Sequence, residues 1–330
     1  MIKIVFIGAS GHSSFALNGS QGRTDVCLAA AAPGSPGENV AGLVPGIRHL
    51  GMEPTLYEDY REMLRKEKPD LAVIDTYYGN HAVCAQAALE AGCHVFIEKP
   101  IATTLPQLES LRRAYEKAGT QLTAMFNYRY VGSFYRAWQL IQEGAIGEVR
   151  LLNGQKSYKM GTRPDFTHSR DTYGGTIPWV GSHAIDWVSW MSGQQFVSVT
   201  ALQSRMHNGG FGTLETDALV QFRLTNEVLA SVTIDYCNPP TAPIHGDDRI
   251  RVVGTKGVLE VKGDSLTLIN DAAEGIQTIE VPPTTEMFPD FLDQIQGTGV
   301  CRVSAEDAFN STEASLRAQL AADTGSTVLF

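Results

Sequence analysis

Apolar and polar positions follow two different rhythms along the chain. In the first, short apolar runs recur between segments of helical spacing: KIVFIG (Lys3–Gly8), VCLAAA (Val26–Ala31), LAVIDT (Leu71–Thr76), HVFIEK (His94–Lys99) and QLTAMF (Gln121–Phe126). Between them, LYEDYREMLRKEK, NHAVCAQAALEAG and LPQLESLRRAYEKAG read as helices, and the last two end on glycine, a common residue just past a helix. Short buried strands alternating with helices predict a parallel sheet covered on both faces. Residues 1–125 are therefore expected to form a doubly wound α/β domain.

The second rhythm is one of longer strands. After a helix over Ser133–Glu143 come EVRLLNGQKSY, a polar loop and a helix containing HAIDWVSWMSG. FVSVTALQS, DALVQFRLTN, EVLASVTIDYC, RIRVVGTKGVLEV, SLTLIND and IQTIEV then follow as strands. Tight turns between them, LTNEV and GTKGV, predict a large, mostly antiparallel open sheet. Helical signal returns at Phe288–Ile295 and Ala305–Ala322. Residues 126–330 are thus expected to be a second α/β domain with helices on one sheet face, serving substrate binding and oligomerisation. The opposite face needs cover, which predicts a homo-oligomer, a dimer or a tetramer.

Composition narrows the partners. The 36 acidic and 26 basic residues give a net charge of −10 with no basic block, which excludes a nucleic-acid partner. No apolar run approaches the roughly 20 residues of a membrane helix. The opening MIKIVFIGAS reaches glycine too early for a signal peptide and reads as a strand. Cys27, Cys84, Cys93, Cys237 and Cys301 are scattered and never form a CxxC pair, as expected of reduced thiols in the cytoplasm.

Candidate chemistry begins at FIGASGHSSF, where the first strand gives way to a helix. Gly8, Ser10, Gly11 and Ser13, with His12 among them, supply the small residues of a phosphate-binding turn. Ser10 and Ser13 stand where the second and third glycines of GxGxxG would be. Helix N–H groups at such a turn face a dinucleotide pyrophosphate, so NAD(P) is the expected cofactor. The second strand ends in AAAAPGSPGE, with Ala32 at the place of the acid that holds the ribose of NAD. Ser35 and the backbone around Gly34 suit a 2′-phosphate instead, which leans the expectation toward NADP.

The glycine turn, DTYYGNHAVCAQAALEAGCHVFIEKP, NYRY, EGAIGEVR, GGTIPWVGSHAIDWVSWMSG and AADTGSTV occur in this order. Together they resemble the Gfo/Idh/MocA oxidoreductases, the family of glucose–fructose oxidoreductase and inositol dehydrogenase. The resemblance spans essentially the whole chain and is most specific at EKP, Glu98–Pro100, followed by the glycine-led segment bearing His183. It implies an amino-terminal Rossmann domain and a carboxy-terminal α/β domain with a large open sheet. It places Lys99 beside the nicotinamide, against the reacting hydroxyl or carbonyl of the substrate. Pro100 would fix that turn, often as a cis peptide in relatives, and Glu98 would anchor the turn or the nicotinamide ribose. Thr76, Tyr77, Asn80 and His81 match cofactor-contacting positions, and Asn127 and Arg129 match positions bordering nicotinamide and substrate. Arg129 reads equally as a structural ion-pair partner. A lysine near a cationic ring should have a lowered pKa and serve as acid or base.

In the second domain the resemblance assigns His183 to proton transfer or substrate binding alongside Lys99. Asp186, three residues on, lies on the same helix face and is left with three roles: bonding a substrate hydroxyl, orienting His183 or holding the helix. Many dehydrogenase members carry an aspartate four residues before the histidine; here it is Trp179, which carries no charge and either stacks on a sugar ring or fills the core. Tyr158 and the loop KMGTRPDFTHSRDTYGG enter the expected cleft; Arg163, His168 and Arg170 either bind an anionic substrate or, the default reading, belong to a solvated loop. HGDD at His245–Asp248 is read as polar loop rather than metal site, and Trp187 and Trp190 as core. The expected activity is hydride transfer between NAD(P) and a sugar, cyclitol or related polyhydroxy compound, with Lys99 and His183 handling the proton. Two alternatives stand beside it: a cofactor-retaining, net non-redox glycosidase and a non-catalytic dinucleotide-binding regulator.

Overall fold

The computed structural model describes residues 1–330. They form two units, the first made of Met1–Asn127 with Asp171–Gly174 and Glu286–Thr312, the second of the remainder.

The first unit is built on six parallel strands: β1 (Ile2–Ile7), β2 (Val26–Ala32), β3 (Thr55–Leu56), β4 (Leu71–Ile74), β5 (His94–Ile97) and β6 (Leu122–Ala124). Their order, β3–β2–β1–β4–β5–β6, is that of the dinucleotide-binding Rossmann sheet. Four residues of β4 and three of β5 are fully buried, as strands covered on both faces must be. The helices are α1 (Ser14–Gly19), α2 (Val44–His49), α3 (Tyr60–Glu67), α4 (His81–Glu90) and α5 (Leu105–Ala118). Asp59 caps α3 by accepting the Glu62 N–H at 2.7 Å, and Thr104 caps α5 by accepting the Gln107 N–H. The left-handed Gly119 ends α5. A later helix, Met287–Ile295, returns to this unit and stacks Phe288 on Phe96 at 4.9 Å. A Cβ at Gly19 would lie 2.7 Å from Phe288, so α1 must present glycine there.

The second unit carries a nine-stranded sheet. In chain order its strands are β7 (Val149–Ser157), β8 (Phe196–Ser204), β9 (Asp217–Leu224), β10 (Leu229–Asp235), β11 (Arg249–Gly254), β12 (Gly257–Lys262), β13 (Ser265–Asn270), β14 (Ala273–Thr278) and β15 (Val328–Leu329). The order is β14–β13–β12–β11–β7–β10–β9–β8–β15, antiparallel throughout except for the parallel pair β7–β10. Leu152, Val220, Val232, Val252 and Leu259 form the buried face, covered by helices Gly132–Gln142 and Ser182–Ser192. On the outer face Leu229, Leu151, Val253, Val258 and Ile269 are register partners in succession, an apolar row across five strands. No helix of the chain is long and apolar enough to cross a membrane.

Candidate active site

The turn after β1 is held from beneath by the turn after β4. Gly8 has φ +90°, and a Cβ there would collide with the backbone of Thr76. Ser10 N–H donates to the Asp75 carbonyl at 2.7 Å, while the Asp75 carboxylate accepts from His12 N–H at 3.0 Å and Ser13 N–H at 2.7 Å. A Cβ at Gly11 would strike the same carboxylate, so small residues here follow from close approach of two turns. Burial and the neighbouring Glu98 charge push the Asp75 carboxyl up to about 8. The folded state thus keeps a proton that the unfolded chain releases near pH 4, and stability falls as pH rises from about 4 to about 8. Asp75→Asn should flatten that slope in urea unfolding at pH 5 and pH 8; an unchanged slope would mean Asp75 is ionised in the fold.

The loop after β2 holds a carboxylate that the sequence reading did not find. Glu38 folds back beneath its own loop and accepts the N–H groups of Gly34 and Ser35 at 3.0 and 3.2 Å. It also accepts from Ala9 N–H, the Ser10 hydroxyl and the Thr76 hydroxyl. The sequence reading sought an acid only at Ala32, and this arrangement brings one to the second-strand end from six residues further on. Ser35 Oγ lies 2.7 Å from Thr76 Oγ1 and accepts from Asn80 Nδ2 at 2.8 Å, so Ser35, Thr76 and Asn80 share one network. Ala32 contributes only its carbonyl, to Gly8 N–H at 2.9 Å.

Lys99 follows β5 in a cis Lys99–Pro100 turn and is 1% exposed. Its Nζ lies 3.8 Å from Glu98 Oε1, which also accepts the Lys99 N–H at 3.0 Å. Burial pulls the Lys99 amine down to about 8, against the opposing pull of Glu98. Burial raises Glu98, but the charge and hydrogen bond of His12, with the charges of Lys99 and His81, together outweigh it and leave Glu98 below its usual range. His12 Nδ1 lies 2.6 Å from Glu98 Oε2, and Glu98 raises the pKa of the imidazole. His81 is fully buried, with one ring nitrogen 3.0 Å from the Thr76 carbonyl and the other 2.8 Å from the Pro100 carbonyl. It ties the turn after β4 to the EKP turn rather than presenting a nitrogen to a ligand. Tyr77 is half-buried in the turn after β4, and Asn127 is half-buried where the chain leaves β6.

In the second unit a π-helical turn, Ile177–Gly181, leads into helix Ser182–Ser192 and carries Trp179. Such widened turns recur at functional sites. A side chain at Gly181 would collide with Ile234 of β10, which accounts for the glycine two residues before His183. His183 packs edge-on to the Tyr128 ring at 5.0 Å. Arg129 and Asp186 form a two-pronged ion pair, Nη2 to Oδ1 at 2.7 Å and Nε to Oδ2 at 3.1 Å, with both side chains buried. That pair uses Asp186 to hold its helix, one of the roles left open above. Tyr158 lies among Trp179, Tyr236 and His245, with ring centroids 4.7 to 6.4 Å away. Beside it is a cluster with no sequence motif: buried Lys156 donates to Tyr128 Oη at 2.6 Å and to Asp248 at 2.7 Å, and Tyr128 bonds the same carboxylate. Its members come from three distant segments. His168 packs on Phe211, and Arg170 is paired with both Glu215 and Asp323, which removes it as an anion ligand. Within HGDD, Asp247 pairs with Arg249, and Asp248 belongs to the cluster just described.

Similarity to known proteins agrees with this architecture. The family model described as oxidoreductase family, NAD-binding Rossmann fold, matches residues 2–126, and the GFO/IDH/MocA C-terminal domain matches residues 134–260. The solved structure of a candidate oxidoreductase from Thermotoga maritima is 47% identical, covers 100% of both chains and superposes with a TM-score of 0.95. Inositol 2-dehydrogenase of Salmonella typhimurium (strain LT2) is 26% identical over 66% of this chain and 62% of its own length. The NADP(+)-dependent scyllo-inositol 2-dehydrogenase IolW of Bacillus subtilis (strain 168) is 26% identical over 54% of this chain and 50% of its own. With the parallel sheet, the glycine turn and the buried EKP lysine already in place, these matches establish that the chain belongs to the Gfo/Idh/MocA family of NAD-binding oxidoreductases.

Proposed function

We propose that the enzyme moves hydride between a nicotinamide dinucleotide and a carbon of a sugar, cyclitol or related polyhydroxy compound, with Lys99 and His183 handling the proton. The observation that carries this reading is Lys99, a buried amine at the C-terminal end of the parallel sheet, lowered to about 8 and held by Glu98. Nicotinamide, when bound, supplies the hydride acceptor or donor. The glycine turn from Gly8 to Ser13, with Thr76, Asn80 and Glu38, offers the close backbone approach and polar contacts that such a dinucleotide needs.

Lys99 does the complementary work at oxygen. Neutral, it takes the hydroxyl proton as the carbon–oxygen bond gains double-bond character; protonated, it returns that proton in the reverse direction. An amine titrating near 8 serves both directions, whereas one at 10.5 would hold its proton too firmly to act as a base near neutrality. His183 supplies a second exchangeable proton. The polyhydroxy class rests on the inositol-oxidising relatives and on Tyr158 and Trp179, whose ring faces suit the apolar side of a sugar.

Titration with NAD, NADH, NADP and NADPH, followed by an absorbance screen of sugars and cyclitols, tests the reading. Binding of one nucleotide pair and its reduction by a polyol are expected; a chain that binds none of the four is not a dehydrogenase. All five cysteines are free, which fits a reducing cytoplasm. The apolar row on the outer sheet face fits a homo-oligomer formed face to face. Light scattering should show an oligomer that Leu151→Glu combined with Leu229→Glu reduces to monomer; a monomeric wild type would rule it out.

A further inference from the structure

We propose that Glu98 and His12 form a proton relay that connects Lys99 to solvent. This rests on the reading above, because it concerns where the proton taken by Lys99 goes next.

Polyol oxidation releases a proton for every hydride moved. The substrate O–H bond breaks as an N–H bond forms on neutral Lys99, and the hydride leaves carbon for the nicotinamide. Lys99 is then an ammonium and must lose that proton before it serves again. Only 1% of the residue is exposed, so the proton needs a carrier to reach water.

One line of ionisable groups leads outward. Lys99 Nζ lies 3.8 Å from Glu98 Oε1, an ion-pair separation about 1 Å longer than a charge-assisted hydrogen bond. Oε2 of the same carboxylate lies 2.6 Å from His12 Nδ1. The Glu98 side chain is fully buried, whereas that of His12 is 46% exposed. Phe15 stacks on the His12 ring, with centroids 5.5 Å apart and 19° between planes, and so steadies it against the carboxylate. Two other ionisable groups bordering the cluster offer no such exit. Asp75 is fully buried and occupied by the His12 and Ser13 N–H groups. His81 is fully buried, with each ring nitrogen against a backbone carbonyl.

Each transfer balances. The ammonium N–H bond breaks as an O–H bond forms at Glu98 Oε1, and a half-turn of the carboxyl, a broad two-fold torsion, carries that proton to the His12 side. There the O–H bond breaks as an N–H bond forms at Nδ1, and the imidazolium gives a proton to water from its exposed side. Exchange with water returns the neutral ring to the tautomer that accepts at Nδ1. Lys99 ends as an amine and Glu98 as a carboxylate, with no change of oxidation state in the relay. The electrostatics favour this order: Glu98 raises the imidazole pKa, while its own carboxyl is held below the usual range and sheds a proton easily. Reduction runs the same path inward.

The test is steady-state polyol oxidation by wild type, His12→Ala and His12→Gln at saturating nucleotide, in dilute buffer and with added imidazole. Thermal unfolding and calorimetric nucleotide binding confirm that each variant is folded and loaded. Both variants should lose kcat on the order of 10²-fold in dilute buffer, with KM within a few-fold of wild type. Glutamine can donate to Glu98 but cannot carry the proton onward, so a merely structural bond would survive in His12→Gln. Imidazole should restore most of the His12→Ala rate, by filling the vacated space with a small base, and leave the wild-type rate unchanged. Variants that keep the wild-type kcat in dilute buffer overturn the proposal. So does a loss that imidazole does not relieve in His12→Ala, or one confined to weaker nucleotide binding. If the wild type binds nucleotide but oxidises no polyol, the hydride-transfer reading itself has failed, and the relay falls with it.

Discussion

Lys99→Met is expected to lower the rate of nicotinamide reduction by polyol on the order of 10²- to 10⁴-fold while leaving nucleotide affinity within a few-fold of wild type. The substitution suits the site physically. Lys99 is 1% exposed, and its amine is already disfavoured as a cation there, so an unbranched apolar side chain of similar length fills the same space without that penalty. Glu98 keeps the His12 imidazole at 2.6 Å and the Lys99 N–H at 3.0 Å, so the turn should stay in place. Lys99→Arg separates charge from proton transfer. A guanidinium keeps the positive charge but cannot be deprotonated in this pH range, so it should not rescue oxidation. Steady-state kinetics with calorimetric binding measures both quantities. A Lys99→Met enzyme within tenfold of wild type would show that another group moves the proton.

The second large effect lies in the other unit. Arg129→Met should destabilise the protein by roughly 3–5 kcal/mol, because it strands the Asp186 carboxylate, which is 1% exposed, without its two-pronged partner. Arg129 also sits over the Trp190 ring, with its guanidinium carbon 5.4 Å from the centroid, so packing is lost as well. Removing both charges, with Asp186→Leu added to Arg129→Met, should recover much of the loss, since two apolar groups leave no buried unpaired charge. Urea unfolding reads each step. If Asp186 instead serves the substrate, Asp186→Asn would raise KM strongly while barely changing the unfolding midpoint.

What the sequence reveals depends on how each feature is encoded. Strands β1, β4 and β5 are legible because both faces are buried and nearly every residue is apolar. The two-residue strands β3 and β15 are too short to carry a pattern. Helix Met287–Ile295 is legible as a helix, but its apolar stripe does not say which unit it covers, and Phe288 and Phe291 reach back to Phe96. Strand β14 lies at Ala273–Thr278 rather than at the expected Ile276–Val281, since most of its residues are exposed and exert no hydrophobic constraint on register.

The candidate site divides in the same way. Lys99 and His183 stand in local motifs and can be found by reading along the chain. Glu38 stands six residues past Ala32, the place where an acid is ordinarily sought, and only the path of the PGSPG loop returns it to the second-strand end. The Lys156–Tyr128–Asp248 cluster has no spacing to recognise, because strand β7, the start of strand β11 and the turn after β6 bring its members together. His81 is visible as a conspicuous polar residue, but its two carbonyl partners exist only in the fold.

The most direct test of the central claim is the pH dependence of polyol oxidation at saturating nucleotide, in wild type and in Lys99→Met. Neutral Lys99 is the base in this direction, so the wild-type rate should rise with pH and level off above about 8, where the buried amine has lost its proton. The residual rate of Lys99→Met should lack that limb. A wild-type profile that is flat through this range, or a limb that survives unchanged in Lys99→Met, would contradict the assignment of Lys99 as the group that moves the proton.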